Sequence, residues 1–287
     1  MKTYLECIPC FVAQALRAGK LATSDEYILK ELLDEVGDMI KSIPLDSTPV
    51  EIASGIYKTI REKTGVTDVF KEKKYQHIQE ALRLLPQMRE KVLCSTDPLL
   101  TAIRVAIAGN VIDLGMSKEF DMVHDIEIIL HQDFALFDYD LFKHELNKTD
   151  NILYLGDNAG ESVFDRLLIE QLKKPVIYAV RGAPIINDVT IDDAVDSGLD
   201  QVAQIISSGT PAPGTILSLC NESFVEQFNK TGLIISKGQG NYEGLSTTSK
   251  LVFFLLKAKC PVIAKDLGVK EDDIILKASS KGQANEQ

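Results

Sequence analysis

The sequence predicts an α/β protein: a helical N-terminal region over residues 1–147, a doubly wound α/β domain over 148–277 and a polar tail at 278–287. Apolar residues recur at helical spacing through the first part. From about residue 148, short apolar or β-branched runs alternate with amphipathic segments, the pattern of a parallel sheet with helices on both faces. At 45% apolar and 25% charged over 287 residues, the chain can bury a large core.

Taken in order, "PCFVAQALRAGKLA" carries the first helical pattern. "DEYILKELLDEVGDMIKSI" sets Ile28, Leu29, Leu32, Leu33, Val36, Met39 and Ile40 on one stripe. "PVEIASGIYKTIREKTG" begins with Pro49 and stops at Gly65, the expected helix punctuation. "DVFKEKKYQHIQEALRLLPQMREKV" and "DPLLTAIRVAIAGNVIDLG" continue the pattern, with Asp97 placed to cap and Pro98 at the first helical position. Strands are expected at "NILYL", "PVIYAV", "VAQIISSG", "LIISKG" and "LVFFLLKA". Helices are expected at "AGESVFDRLLIEQL", "TIDDAVDSGLD", "SFVEQFNKTG" and "PVIAKDLGV", with a polar loop after "LIISKG".

Composition narrows the function. The longest uncharged apolar run near the C-terminus, "LVFFLL", is too short to cross a bilayer, and "MKTYLECIPCF" has no apolar stretch of signal-peptide length. A cytoplasmic protein without a membrane partner is expected. A net charge of −11 argues against a nucleic-acid partner. A small phosphorylated ligand would need its positive charge supplied locally, by lysines or a metal ion. Five cysteines, an odd number, point to reduced thiols. Cys7 and Cys10 form a single C-x-x-C, for which packing, zinc ligation with Cys94 and a redox dithiol all stay open. The four histidines show no ligand spacing, and nothing in the sequence fixes the oligomeric state.

In an open α/β sheet, ligands sit beyond the carboxyl ends of the strands. The polar residues of the second half fall there: Asp157, Asn158 and Glu161 after "ILYL", Asn187 and Asp188 after "VIYAV", Ser207 and Ser208 after "QII". Lys237, Gln239, Asn241 and Tyr242 follow "LIIS", and Lys257 follows "FFLL". Asp157, Asn158 and Asp188 offer hard oxygen donors for a divalent cation. Lys237 and Lys257 offer compact charge for a phosphate, and the glycines of "KGQGNYEG" allow close backbone approach. Taken alone, an Asp-Asn pair after a strand is more often turn chemistry or a helix cap than a metal site. Asn110 and Asp113, three apart on an otherwise apolar helix, either pair internally or close over the same rim.

Together "ECIPC", "AIAGNVIDLG", "GDNAGE", "IINDVTIDDA", "KGQGNYEGL" and "LLKAKCPVIA" resemble the DUF89 family of metal-dependent damage-control phosphatases, nearest its stand-alone prokaryotic and archaeal branch. The resemblance runs to about residue 270. It implies a helical N-terminal region on a Rossmann-like α/β/α domain, and a divalent metal (Mn²⁺, Ni²⁺, Co²⁺ or Mg²⁺) held by Asp157, Asn158 and Asp188. It implies a substrate phosphate at Lys237, Asn241, Tyr242 and Lys257; backbone and amide groups from Gly238 to Tyr242, with Asn110, are expected to orient it. The expected reaction is hydrolysis of small phosphorylated metabolites, sugar phosphates or damaged phosphometabolites. Asp157, with Asp113 or Glu161, would serve the attacking water. No Asp-x-Asp-x-Thr/Val pattern follows a strand, so direct water attack is expected rather than a phospho-aspartate. Two rivals remain: a nucleotide- or S-adenosylmethionine-dependent transferase, although "GDNAG" lacks the G-x-G-x-x-G spacing, and a sensing module built on Cys7 and Cys10.

Overall fold

The computed structural model describes residues 1–109 and 122–279. Helices α1 (Cys7–Ala22), α2 (Glu26–Lys41) and α3 (Pro49–Thr64) pack together around Phe11, Ala15, Leu32, Val36, Ile56 and Ile60. Their ends follow local chemistry. The Asp25 carboxylate accepts from the Tyr27 and Ile28 amides at 2.8 and 3.3 Å. Thr48 and Glu51 form a reciprocal capping box ahead of Pro49, and Gly65 closes α3 in the left-handed region. Helices α4 (Lys71–Leu93) and α5 (Pro98–Gly109) follow, and Asp97 caps α5 through the Leu100 amide at 3.0 Å as predicted.

The other described residues build a seven-stranded sheet of order β1-β7-β6-β5-β2-β3-β4 with its flanking helices. Its strands are β1 (Phe134–Phe137), β2 (Ile152–Leu155), β3 (Val176–Val180), β4 (Gln204–Ser207), β5 (Leu233–Lys237), β6 (Val252–Lys257) and β7 (Ile274–Ala278). Between them lie α6 (Met122–His131), α7 (Tyr139–Lys148), α8 (Ser162–Leu172), α9 (Ile191–Asp196), α10 (Glu222–Lys230), α11 (Gly238–Leu245) and α12 (Pro261–Leu267). Alternate residues of each strand feed opposite layers. Ile152, Tyr154, Ile235 and Phe253 pack on α4, α5, α7 and α8; Leu153, Ile234, Phe254 and Leu256 pack on α10, α11 and α12. The expected three-layer α/β/α arrangement is therefore present. No described helix is long and apolar enough to cross a membrane.

Three elements depart from the sequence reading. β1 lies inside the segment expected to be helical, β7 extends the sheet, and β7 runs antiparallel to β6 while β1 pairs parallel with β7. The segment after β5, expected as a polar loop, is helix α11. Residues 280–287, most of the expected tail, lie outside the described residues, as do Asn110 and Asp113.

β2 leads outward through β3 to β4 on one side, and the chain then returns to lay β5 and β6 on the other. Strand order thus reverses between β2 and β5. That switch point is where an open α/β sheet leaves a crevice at its carboxyl ends. The α1–α3 group reaches the same crevice, since α1 and α3 supply part of its wall.

Candidate active site

Two loops meet at the switch point. Past β2, the Asp157 carbonyl accepts from the Val189 amide at 2.8 Å, and the Ala159 amide donates to the Asn187 carbonyl at 2.8 Å. Asn158 and Asp188 face each other across a short antiparallel bridge. The loop is anchored from behind by Lys74, itself buried, which pairs with Asp68 at 2.8 Å and Asp193 at 2.7 Å. Asp193 also accepts from the Thr190 amide at 2.9 Å, so the residues just after Asp188 are pinned to α4 and α9.

Asp157, Asn158 and Asp188 are therefore brought together, each under 9% exposed, on the floor of a cleft of about 540 Å³. Asn158 Nδ2 donates to Asp157 Oδ2 at 3.1 Å and Glu161 Oε2 at 3.4 Å, which turns its amide oxygen to the opposite side. Arg181, absent from the sequence-based set, stands behind the group. Its Nε donates to Asp188 Oδ2 at 2.6 Å, its Nη1 to Asn241 Oδ1 at 3.1 Å, and its Nη2 lies 3.7 Å from Asp157 Oδ1. An arginine after an apolar strand reads as solvated, and no sequence signal marked it as buried.

The other expected site residues are distributed differently. Lys237 does not face the cleft. It is wholly buried and donates to Glu161, to Asp165 Oδ1 at 2.8 Å and to the Ala106 carbonyl at 2.8 Å. Tyr154 and Tyr178 donate to the two oxygens of the same Asp165 at 2.6 and 2.7 Å. Burial is the largest influence on Glu161 and pushes its carboxyl up to about 7, against the opposing pull of Lys237. Glu161 therefore belongs to an internal polar cluster beneath Asn158. Asn241 is also spent internally. Its Nδ2 donates to the Gly156 and Lys237 carbonyls at 3.0 and 2.8 Å, and its Oδ1 accepts from Thr215 and Arg181. Tyr242 packs edge-on against Phe254 and donates to Asp266 Oδ2 at 2.8 Å. Lys257 pairs with the exposed Asp272 at 2.7 Å and takes no part in lining the cleft. Lys259, two residues later, does line it, as does Arg17 from α1; both were missed.

Gly238 keeps a place at the site through the room it leaves for Asp157. Its φ is +75°, and a Cβ there would stand 1.9 Å from Asp157 Oδ2. Gly240 and Gly244, one helical turn apart, let the 213–215 segment lie against α11, where a Cβ would meet the Pro213 and Thr215 carbonyls at 1.9 and 2.3 Å. Glu243, on the same helix, lines the cleft, and burial pushes its carboxyl up to about 7.

The buried carboxylates Asp157, Glu161, Asp165 and Asp188 face two buried cations, Lys237 and Arg181. The carboxyls outnumber the cations, which leaves the cluster acidic even with the Glu161 carboxyl pushed up to about 7. Oxygen donors from Asp157, Asn158 and Asp188, in a pocket with that excess and an open side, fit a divalent cation that keeps positions for water or substrate. Among the described residues no group of three or more His, Cys, Asp or Glu side chains is arranged for a metal, so a cation site here would have to include the Asn158 amide.

Glu243 also shapes stability. A carboxyl whose folded value lies near 7, above its ordinary value near 4.5, holds its proton more tightly in the folded state. Its contribution is fully present below pH 4.5 and is lost as pH rises to about 7. Relative to Glu243→Gln, the parent should thus lose unfolding free energy across that window, with a slope of at most about 1.4 kcal/mol per pH unit, and run parallel above it. Urea titrations at pH 5, 6, 7 and 8 check this; equal slopes for both proteins would place Glu243 in water.

The chain and its three-layer fold match known proteins. Residues 3–275 match the damage-control phosphatase ARMT1-like domain family, and the chain belongs to that family. It is 34% identical over 283 residues to a damage-control phosphatase of Pyrococcus horikoshii, covering 96% of this chain and 97% of that protein. It is 32% identical over 290 residues to a damage-control phosphatase of Archaeoglobus fulgidus, covering 96% and 99%. The crystal structure of a DUF89 family protein from Pyrococcus horikoshii superimposes with a TM-score of 0.90 at 32% identity, covering 98% of this chain and all of that one.

Proposed function

We propose that this phosphatase is a divalent-metal-dependent phosphomonoesterase of small phosphorylated metabolites, sugar phosphates or damaged phosphometabolites, working in the cytoplasm. The observation that carries the reading is the meeting of Asp157, Asn158 and Asp188 on the cleft floor, backed by a surplus of buried carboxyls over buried cations. When bound there, a cation such as Mn²⁺, Ni²⁺, Co²⁺ or Mg²⁺ supplies Lewis acidity toward a phosphoryl oxygen and toward water. The chain's own residues do the rest. Arg181 fixes Asp188 and braces Asp157, so the donors are held in place before ligand arrives. The N-termini of α8 and α11 lie at the switch point, and their dipoles favour a phosphate there. Arg17 and Lys259 supply positive charge from the cleft wall. Glu243, held near neutrality and lining the cleft, is the carboxyl that can donate a proton to the departing oxygen. At about 540 Å³ the cleft suits a small metabolite.

The test is phosphate release from a panel of sugar phosphates and other small phosphomonoesters, after chelation and re-addition of each of the four metals. Asp188→Asn should lower kcat/KM about 100-fold or more with the fold retained. Metal-independent hydrolysis, or an Asp188→Asn variant as active as the parent, would remove the cation from this site. Thermal stabilisation by S-adenosylmethionine but not by metal with sugar phosphate would favour the transferase reading instead.

A further inference from the structure

The C-x-x-C pair has no part in the phosphatase reading, yet it sits in the same cleft. Cys7 opens α1 and Cys10 stands one turn on, with Pro9 between them at a first-turn position that needs no amide hydrogen. Three residues apart on an α-helix, their Cα atoms are about 5 Å from each other, inside the range a disulfide bridges. Both line the cleft, joined there by Cys260 from the start of α12. The two ends of the pair differ. Cys10 is exposed and accepts from Gln14 Nε2 at 3.3 Å, whereas Cys7 is half-buried between the α1–α3 cluster and the α10–α12 layer. Burial raises the Cys7 thiol, with Glu243, Cys260 and Cys10 adding to the effect. A structural zinc site would need a further ligand. Among the described residues no group of three or more His, Cys, Asp or Glu is arranged for a metal, which counts against ligation by Cys7, Cys10 and Cys260.

We propose that Cys7 and Cys10 are a dithiol–disulfide site in the wall of the substrate cleft, oxidised by exchange with a low-molecular-weight disulfide. The exposed Cys10 thiolate attacks one sulfur of that disulfide and expels the other as a thiolate, forming a mixed disulfide. The Cys7 thiolate then attacks Cys10 Sγ and expels the second small thiol. The pair is oxidised by two electrons, the small disulfide is reduced to two thiols, and the two protons that leave the cysteines end on them. Closing the bond draws Cys7 Sγ toward Cys10 and reshapes the wall that Cys260 and Glu243 also line. The chemistry of the pair stands independently of the phosphatase reading; only its consequence for substrate rests on it.

The experiment equilibrates the full chain in buffers of oxidised and reduced glutathione, blocks remaining thiols and maps tryptic peptides. Both cysteines lie on the one peptide of residues 3–17, and Cys260 lies on that of 260–265. The expected result is a single two-electron transition in which five titratable thiols become three, with peptide 3–17 lighter by two hydrogens. Cys7→Ser should instead stop at the glutathione adduct on Cys10, and Cys94→Ser should leave the transition in place. No transition down to the most oxidising buffer, a cross-link between peptides 3–17 and 260–265, or stoichiometric zinc protecting both thiols would each overturn the proposal. These readouts require no phosphatase activity, so failure of that reading would leave them interpretable.

Discussion

Lys237→Met is expected to lose about 3–5 kcal/mol of folding stability, the usual cost of removing one partner from a buried ion pair. The ammonium is wholly buried and holds two buried carboxylates, Glu161 and Asp165, together with the last turn of α5 through the Ala106 carbonyl. Methionine fills most of the volume but leaves both carboxyls without their cation in a low-dielectric layer. They must then take up protons or draw in water. The double variant Lys237→Met with Glu161→Gln should recover part of the loss, because one stranded charge is gone. Lys257→Met is the contrast: its partner Asp272 is 75% exposed, so about 1 kcal/mol or less is at stake. Urea unfolding of the four proteins measures this. If Lys237→Met and Lys257→Met shift the midpoint equally, the buried cluster is not held by Lys237.

That contrast also shows where the sequence was readable. Alternation along β5 places Leu233, Ile235 and Lys237 on one face, and the first two point into the α4–α8 layer. Strict period-two reasoning could have turned Lys237 inward, whereas its place at a strand end suggested the rim. Lys257 shares the parity of Phe253 and Leu255, so the same logic turns it away from the cleft, and Lys259, beyond the strand, is the one that reaches it. The β/α alternation was legible because each strand from β2 to β6 is an apolar run bounded by turn residues, and this placed Asp157, Asn158 and Asp188 on one rim. β1 was not legible. "FALF" is four residues long, and its partner β7 lies more than 130 residues later, a pairing no local pattern encodes. The fold of α11 was hidden for a related reason. Glycines at 238, 240 and 244 lower helix propensity, yet each is required by a tertiary neighbour (Asp157, Pro213 and Thr215 respectively).

The first of those glycines gives the second large prediction. Gly238→Ala should cut metal-dependent phosphatase activity about 100-fold, the scale expected when a reacting group is displaced by an ångström or so, and should weaken metal binding in parallel. An alanine Cβ would lie 1.9 Å from Asp157 Oδ2 and 2.2 Å from Cγ, so the carboxylate or the turn must move. The carboxylate has little room. It accepts from Asn158 Nδ2, its own carbonyl is bonded to the Val189 amide, and Arg181 stands behind it. Left-handed backbone alone costs an alanine roughly 1–2 kcal/mol, and Gly65→Ala isolates that part: φ is +71° there with nothing within 4 Å of the added Cβ. Gly65→Ala should lower the melting temperature and leave kcat/KM and metal affinity untouched. Calorimetric titration of Mn²⁺ into both variants separates backbone strain from displacement of the donor. A Gly238→Ala protein that binds the cation as tightly as the parent would show that Asp157 is not one of its ligands.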